Sequence, residues 1–267
     1  MREQVDPSLS FAADLIREAD LTDLRYLYRF GEYISENELE TARFLNELPE
    51  EEICQMAATY TEGYRKGFVN SGIDLSRKKT VNIRYPLGFE RMIRAAVLQF
   101  EQMGLSPVIY RAAQHSVNKR QHIRIGYTVS GPNLQYEYDH RNDSGLYLDE
   151  DFVSRKLRGL QQAYEEVKDL ARTHAGPAVV EVFGGTPFAP EAKPSCCGLT
   201  RRQQQLQVHY QNEAGQITNR YIPGDERSFT IISYPLPEIG ENYREIFRET
   251  VKINTLDSEK YEKIQQK

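Results

Sequence analysis

The sequence predicts an α/β protein: an open, mostly parallel sheet with helices on both faces, preceded by a helical N-terminal cap. The first observation is a strand pattern in which Val81, Ile83 and Tyr85 alternate with polar residues. The second is an amphipathic helix pattern over residues 87–103, and the third is an apolar run that begins at Val108. A strand, a helix and a strand within about thirty residues form a βαβ unit, whose two strands run parallel.

The composition predicts a soluble, cytoplasmic globular protein. The chain has 267 residues, 39% hydrophobic and 27% charged, and its formal net charge is -5. This negative balance argues against nucleic acid as a partner, and no apolar run is long enough for a membrane span or a signal peptide. Cys54, Cys196 and Cys197 are too few, and odd in number, for a disulfide scaffold. Cys196 and Cys197 are interpreted as loop thiols, because adjacent cysteines rarely pair and no second pair completes a zinc site.

Residues 1–70 are predicted to form the helical cap. Apolar residues recur at helical spacing from Phe11 onward. Ser35 followed by Glu38 is a capping-box pattern, which marks the start of one helix. Pro49 followed by three glutamates marks the start of the next, because proline and acidic residues favour the first helical turn.

Residues 71–267 are predicted to form the α/β domain, interrupted by a hairpin excursion near residues 114–145. The two strands of this hairpin are expected at residues 122–127 and 134–138, where apolar and polar residues alternate. A long amphipathic helix is expected over residues 151–174.

Strands and helices continue to alternate in the rest of the chain. A short buried strand is expected at residues 178–183, and a capping box of Thr200 and Gln203 opens another helix. Residues 228–234 form a further strand pattern, and a final helix is expected to begin near Asp257. Such alternation is typical of Rossmann-like and flavodoxin-like folds.

The turn after the first strand does not fit a dinucleotide site. Those sites need several glycines, so that backbone amides can approach a pyrophosphate. The turn from Tyr85 to Phe89 has one glycine, Gly88, among bulky neighbours. This strand and the strand near residue 234 both end in Tyr-Pro, and open α/β sheets place their ligands at the carboxyl ends of strands.

One polar patch is a candidate site: Tyr138, Asp139 and His140, together with Tyr85 and Tyr234 at the strand ends. A carboxylate and an imidazole that converge in a loop could act as acid and base or bind a hard metal ion. The alternative interpretation is a solvated hairpin end without chemistry. No motif in the chain assigns a catalytic residue or a metal ligand.

Three segments are informative together because of their order and spacing. The first is TVNIRYPLGFERMIRAAVLQFEQMGLSPVIYR, the second is PAVVEVFG with the helix TRRQQQLQVHYQNEAGQI, and the third is RSFTIISYPLPEIG. Together they resemble the N-terminal half of the aminopeptidase T/aminopeptidase S (PepS) family of metallo-aminopeptidases. The resemblance covers roughly residues 70–267, and the third segment is the most specific. Phe229 stands where the family has a tryptophan.

The resemblance implies a cytoplasmic, divalent-metal-dependent enzyme that removes N-terminal residues from peptides as a homodimer. The family's metal ligands lie in its C-terminal half, which has no match in this chain, so no catalytic residue is carried over. We therefore expect this chain to be the N-terminal portion of such an enzyme, with the catalytic metal domain absent and no activity alone. It would wall the substrate cavity and contribute dimer contacts. The helical pattern still running at Lys267 favours a fragment boundary.

Two alternatives remain open. The first is a non-catalytic α/β binding or interaction module, which has the fold without the catalytic half. The second is a small-molecule enzyme, which requires Tyr138, Asp139 and His140 to converge on one pocket with Tyr85 and Tyr234.

Overall fold

The computed structural model describes residues 1–111 and 133–255. Four strands form one sheet: β1 (Thr80–Arg84), β2 (Ser106–Ile109), β3 (His174–Phe183) and β4 (Thr230–Pro235). The α-helices are α1 (Arg2–Val5), α2 (Phe11–Glu18), α3 (Glu36–Glu47), α4 (Glu50–Asn70), α5 (Glu90–Gln102), α6 (Leu134–Asp139), α7 (Glu150–Glu166), α8 (Lys168–Arg172), α9 (Arg201–Tyr221) and α10 (Tyr243–Asn254). Short 3₁₀ segments lie at Leu24–Phe30, Leu75–Arg77, Asp143–Leu146, Gly224–Glu226 and Pro237–Ile239.

The sheet is open and parallel, with the order β2-β1-β3-β4, and helices lie around it. In the central strand β1, Ile83 pairs with Ile109 of β2 on one side and with Ala178 of β3 on the other. Val180 of β3 pairs with Ile232 of β4, and all three pairings are parallel. The predicted fold class, a Rossmann-like α/β protein with a helical N-terminal region, is therefore confirmed. The strand order reverses between β1 and β3, which makes their carboxyl ends the switch point of the sheet.

Two helices begin at the capping boxes that the sequence predicts. At α3, the Ser35 hydroxyl accepts from the amide of Asn37, and the Glu38 carboxylate accepts from the Ser35 amide at 2.7 Å. At α9, Thr200 and Gln203 exchange the same pair of bonds. These bonds satisfy amides that the first helical turn leaves unpaired, so each helix starts at a defined residue.

The main core lies between the sheet and the helices α4 and α5. It contains buried residues of the first seventy positions and of all four strands in one cluster. Tyr64, Phe68 and Phe100 pack edge to face or tilted, with ring centroids 5.3 to 5.5 Å apart. Such contacts add to the free energy of burying the rings themselves.

Arginines of α5 attach the helical N-terminal region to the sheet. Arg91 donates to the carbonyl oxygen of Leu48 near the end of α3, and Arg94 donates to the carbonyl oxygens of Ile16 and Ala19 at the end of α2. A cation is stabilised at a helix carboxyl terminus by the helix dipole and the unpaired carbonyls. Arg91 and Arg94 of α5 therefore bind the helical N-terminal region through its helix ends, and they do not merely face solvent.

The helices α7 and α9 lie side by side in parallel. Their amino-terminal ends are joined by an ion pair between Arg202 and Glu150 at 2.7 Å. Near their carboxyl-terminal ends, the rings of Tyr164 and Tyr221 stack with centroids 5.0 Å apart. A second, smaller cluster of buried residues underlies this pair and includes Val5 of α1.

The predicted strand over residues 134–138 is wrong, because this stretch is helix α6. The side chain of Asn133 accepts from the amide of Tyr136 at 2.9 Å and caps the helix. Gln135 also bonds Asp139, four residues on, at 2.6 Å. A five-residue alternation of apolar and polar residues fits one helical turn as well as a strand, and these local bonds favour the helix.

Other predicted boundaries shift by a few residues. The helix expected over residues 151–174 divides into α7 and α8, and β3 begins at His174. Within β3, Gly176 has a φ of 113°, which glycine adopts without strain. The hairpin strand predicted at residues 122–127 and the helix predicted from Asp257 lie outside the described residues. Among the helices of the described ranges, none has the length and hydropathy needed to cross a membrane.

Candidate functional site

The carboxyl end of β1 leads into a tight turn that determines where the side chains of the candidate site lie. Gly88 has a φ of 100°, and a Cβ at this position would lie 2.8 Å from the carbonyl oxygen of Glu38. Only glycine accepts both conditions, so α3 approaches the turn closely. The turn is followed by Glu90, the first residue of α5.

A buried ion pair lies at the carboxyl ends of β1 and β2. Arg111 follows β2, and its Nε and Nη2 donate to the two carboxylate oxygens of Glu32 at 2.9 Å each. The exposed fractions of the two side chains are 1% and 2%. The third donor, Nη1, binds the carbonyl oxygen of Tyr85 at 2.6 Å, and the guanidinium lies 4.7 Å from the Tyr85 ring centroid and 5.5 Å from that of Phe30. This geometry combines a bidentate salt bridge with cation–π contacts.

Glu90 is fully buried beside this ion pair. Its Oε2 accepts from the Tyr26 hydroxyl at 2.7 Å and from the Gly88 amide at 2.9 Å. Its Oε1 has no hydrogen-bond partner among the described residues, and neither has the Tyr85 hydroxyl. Burial raises the pKa of the Glu90 carboxyl above its ordinary 4.5, and the bonds from Tyr26 and the charge of Arg111 oppose this shift only in part.

We name these residues, Tyr26, Glu32, Tyr85, Glu90 and Arg111, the edge cluster. It joins the helical N-terminal region to the carboxyl ends of β1 and β2, where α/β folds place ligands. The edge cluster has one buried cation, Arg111, already paired with one buried anion, Glu32. Within these five residues, a second buried anion at Glu90 would add to Glu32 beside a single cation, which opposes ionisation of Glu90 and agrees with its raised pKa.

The five predicted site residues do not form one patch. Tyr85 belongs to the edge cluster. Tyr234 is buried in a different environment, where its ring stacks on Phe247 with centroids 4.9 Å apart and lies 5.5 Å from that of Phe89. Burial raises the pKa of the Tyr234 hydroxyl. Tyr85 and Tyr234 both belong to Tyr-Pro sequences at strand ends, but their rings pack against different residues.

Tyr138 and Asp139 lie on α6, His140 follows its last residue, and the three contact other neighbours. Asp139 pairs with Lys193 at 2.7 Å, and this bond lowers the pKa of its carboxyl. His140 bonds Asp143 at 2.9 Å. The guanidinium of Arg141 lies 3.5 Å from the Tyr138 ring centroid.

Each of these three residues thus pairs locally or with the loop after β3, and none of their contacts above involves the edge cluster. That arrangement gives no support to the small-molecule enzyme, which needs convergence with Tyr85 and Tyr234.

The remaining strand-end residues are occupied in structural contacts. Arg84 donates from Nε to the Asn82 side chain at 2.6 Å, and the carbonyl oxygen of Ser233 accepts from Asn254 at 3.2 Å. The cysteines are all free thiols, as predicted. Burial is the main cause that raises the pKa of the Cys196 thiol, which keeps it protonated.

No sequence pattern singles out Glu32, Glu90 and Arg111 as candidate site residues. The amphipathic pattern of α5 leaves Glu90 outside the apolar stripe, and this predicts a solvent-facing position, which is wrong because the residue is fully buried. Its partner Tyr26 lies 64 residues away in the chain, and Glu32 lies 79 residues from Arg111. The only local signal is an arginine directly after the apolar run Val108-Ile109-Tyr110, a position where a charge needs a partner.

We compared the chain with family models, with curated proteins and with solved structures, and none of the three comparisons found a match.

Proposed function

We propose that this chain is the α/β portion of a metal-dependent aminopeptidase, a peptide hydrolase that removes N-terminal residues. In this proposal the chain walls the peptide cavity and contributes to a homodimer, and other residues bind the divalent metal. The supporting observation is the arrangement of the three segments that resemble aminopeptidase T and aminopeptidase S. They form β1-α5-β2, β3 with α9, and β4 with the turn to α10, and together these supply every strand of one sheet.

The turn after β4 is the most specific part of the resemblance, and it has a defined architecture. Glu238 accepts from the backbone amide of Thr186, after β3, at 2.6 Å and from the side chain of Asn37, on α3, at 2.6 Å. These bonds lower the pKa of the Glu238 carboxyl, with the Thr186 amide as the largest cause. The Glu238 carboxylate thus joins α3, the loop after β3 and the turn after β4 near the carboxyl ends of β3 and β4. This fixed arrangement supports the proposal that this edge of the sheet forms one wall of the peptide cavity.

Apolar surface is exposed near the same edge. Phe183, the last residue of β3, is 41% exposed, and Phe188 in the following loop is 43% exposed. Large aromatic side chains exposed near a ligand-binding edge suit contact with the side chains of a peptide. We assign these two residues to the cavity wall of the proposed enzyme.

The described residues do not fit the divalent metal that the resemblance implies. Within residues 1–111 and 133–255, no three His, Cys, Asp or Glu side chains are placed to hold a metal ion. No catalytic step is therefore assigned to residues of this part of the chain. In this proposal these residues help to bind the peptide and support the fold.

The second candidate function is a non-catalytic binding or interaction module. One observation favours it: the polar groups at the carboxyl ends of β1 and β2 are buried against each other, with Arg111 and Glu90 at 1% and 0% exposure. Side chains in this state support a fold and do not reach a substrate.

The deciding experiment compares two proteins. The 267-residue chain and the full product of its gene are each assayed for release of amino acids from aminoacyl-nitroanilides and short peptides, with Mn²⁺, Co²⁺ or Zn²⁺. We expect chelator-sensitive turnover in a longer gene product and none in the 267-residue chain. Chelator-sensitive turnover by the 267-residue chain would overturn the assignment of the metal to other residues. A gene that ends at Lys267 and an inactive chain would favour the binding module.

The cavity wall has its own test in the active protein. Phe183→Ser should raise KM for peptides with apolar side chains and leave the bound metal unchanged. The matched control is Val208→Ser, because Val208 is 66% exposed but lies on α9. Equal effects of the two variants would contradict the assignment of Phe183 to the wall. Sedimentation equilibrium of the same preparation tests the proposed dimer.

A further inference from the structure

The edge cluster attaches residues 24–32 of the helical N-terminal region to the sheet. This stretch begins with the 3₁₀ segment Leu24–Phe30 and ends at Glu32, and it contributes Tyr26 and Phe30 to the buried contacts. Three hydrogen bonds attach it: the Tyr26 hydroxyl donates to Glu90 at the start of α5, and Arg111, after β2, donates two bonds to the Glu32 carboxylate. The attachment therefore depends on the charge state of a few buried groups.

One of these groups lacks a complete set of partners. Both donors to the Glu90 carboxyl, from Tyr26 and Gly88, bind Oε2. The buried Oε1 accepts no hydrogen bond from the described residues, and the nearby hydroxyl of Tyr85, which interacts with the Glu90 side chain, also has no hydrogen-bond partner among them. An ionised carboxylate would leave this oxygen without a donor in a low-dielectric site, whereas a proton on Oε1 removes the charge.

Among the described residues, the cations near Glu90 are bound by other groups. Arg111 is engaged by Glu32 through two bonds and by the Tyr85 carbonyl through a third. From α5 itself, Arg94 acts on Tyr26, but its donors bind the carbonyl oxygens at the end of α2. From α3, Glu38 packs against Gly88, and its carboxylate binds Ser35. Tyr26 and Tyr85 are neutral hydroxyls whose pKa values burial raises further.

We propose that a proton on Glu90 holds residues 24–32 against the sheet, and that loss of this proton releases them and exposes the carboxyl ends of β1 and β2. The device is a proton-linked latch. Release would make Tyr85 and Arg111 accessible at the edge where α/β folds bind ligands. The latch does not depend on the peptidase proposal, because it uses only contacts within this chain.

The direction of the pH dependence follows from linkage. Glu90 has its ordinary pKa of 4.5 when exposed and a raised pKa in the closed form. The closed form is therefore fully favoured below pH 4.5 and loses stability as the pH rises toward the raised pKa. Between these two values the opening equilibrium should increase by about tenfold per pH unit, and above the raised pKa it should level off.

Hydrogen exchange of the full chain from pH 4.5 to 8.5 tests the latch. Protection factors, corrected for intrinsic exchange, are measured by mass spectrometry for peptides over residues 24–32 and, as a global reference, over α9. We expect protection of residues 24–32 to fall with rising pH while α9 is unaffected. Glu90→Gln keeps the shape of the side chain without a titrating proton, so its protection should be independent of pH within about threefold.

Two further variants separate the latch from a purely structural role. Tyr26→Phe removes one donor to Oε2, so opening should increase at every pH while the pH dependence is retained. Glu36→Gln removes a carboxylate that is 85% exposed, and it should behave as the wild type. Three results would overturn the proposal: pH-independent protection in the wild type, the same pH dependence in Glu90→Gln, or simultaneous loss of protection in α9.

Discussion

Neutralising Glu32 tests the energetic role of the buried ion pair. Glu32→Gln removes the negative charge of Glu32 from the Arg111 guanidinium, which is buried at 1% exposure, and replaces two charge-assisted bonds of 2.9 Å. Removing one partner of a buried pair costs about 3–5 kcal/mol, a large part of a total stability of about 5–15 kcal/mol. We expect a loss of this size in the free energy of unfolding, measured by urea denaturation at pH 7 and followed by circular dichroism.

The control has the same bond geometry on the surface. Glu47 accepts two bonds from Arg244, at 2.5 and 2.9 Å, but the side chains are 52% and 45% exposed. Glu47→Gln should therefore cost less than about 1 kcal/mol. If Glu32→Gln lowers the free energy of unfolding no more than this control does, burial does not determine the energetic contribution of the ion pair between Glu32 and Arg111.

The effect of Glu32→Gln on stability should also depend on pH. In Glu32→Gln, the charge of Arg111 is no longer opposed by Glu32 and favours ionised Glu90 more strongly, because an opposite charge nearby lowers a carboxyl pKa. The difference in stability between the variant and the wild type should therefore narrow as the pH rises above 4.5, the ordinary pKa of Glu90. A difference that widens with pH would show that Arg111 and Glu90 are not coupled.

Three further predictions use urea denaturation with the same detection. Gly176→Ala should be strongly destabilising, because its Cβ would lie 1.9 Å from the carbonyl oxygen of Ser228, whereas Gly215→Ala, inside α9 with open space around it, should stabilise by up to about 1 kcal/mol. Phe247→Ala should cost about 3–5 kcal/mol, because it opens a cavity between four aromatic rings within 6.3 Å; a cost below about 1 kcal/mol would contradict this packing. Burial, with nearby cations, lowers the pKa of His174 to about 3, so the contribution of this residue to stability should fall by about 1.4 kcal/mol per pH unit from 6.5 toward 3, and the difference in stability between the wild type and His174→Phe should change with this slope.

Elements whose signals are local could be predicted from the sequence. The alternation in β1, the apolar stripe of α5 and the capping boxes at Ser35 and Thr200 each depend on residues a few positions apart. Local patterns of this kind determine where an element starts and which face it buries. From these elements the parallel α/β class followed correctly, because a helix between two adjacent strands imposes parallel pairing.

The candidate site depends on contacts that local patterns do not contain. Periodicity treats every carboxylate as outward-facing, so it misplaced Glu90, whose burial is decided by Tyr26 and by the turn at Gly88. The predicted patch around Asp139 does not form, for the opposite reason. Adjacent polar residues suggested that their side chains meet at one site, but Asp139 and His140 bind separate partners. Charge alone does not reveal which polar residues the fold will bury.

Two buried groups at opposite ends of the sheet oppose each other in pH dependence. His174, at the amino end of β3, is neutral in the fold, and its contribution to stability is complete above pH 6.5 and lost as the pH falls toward 3. Glu90, beyond the carboxyl end of β1, has a raised pKa in the fold, so its contribution is complete below pH 4.5 and lost as the pH rises through that pKa.

Below pH 6.5, and from pH 4.5 up to the raised pKa of Glu90, the two slopes have opposite signs, so the two ends of the sheet should respond to pH in opposite directions. Exchange measured separately at residues 24–32 and at the start of β3 should show one end loosening as the other tightens. A uniform change at both ends would mean that a single global transition, and not two local titrations, governs the pH response.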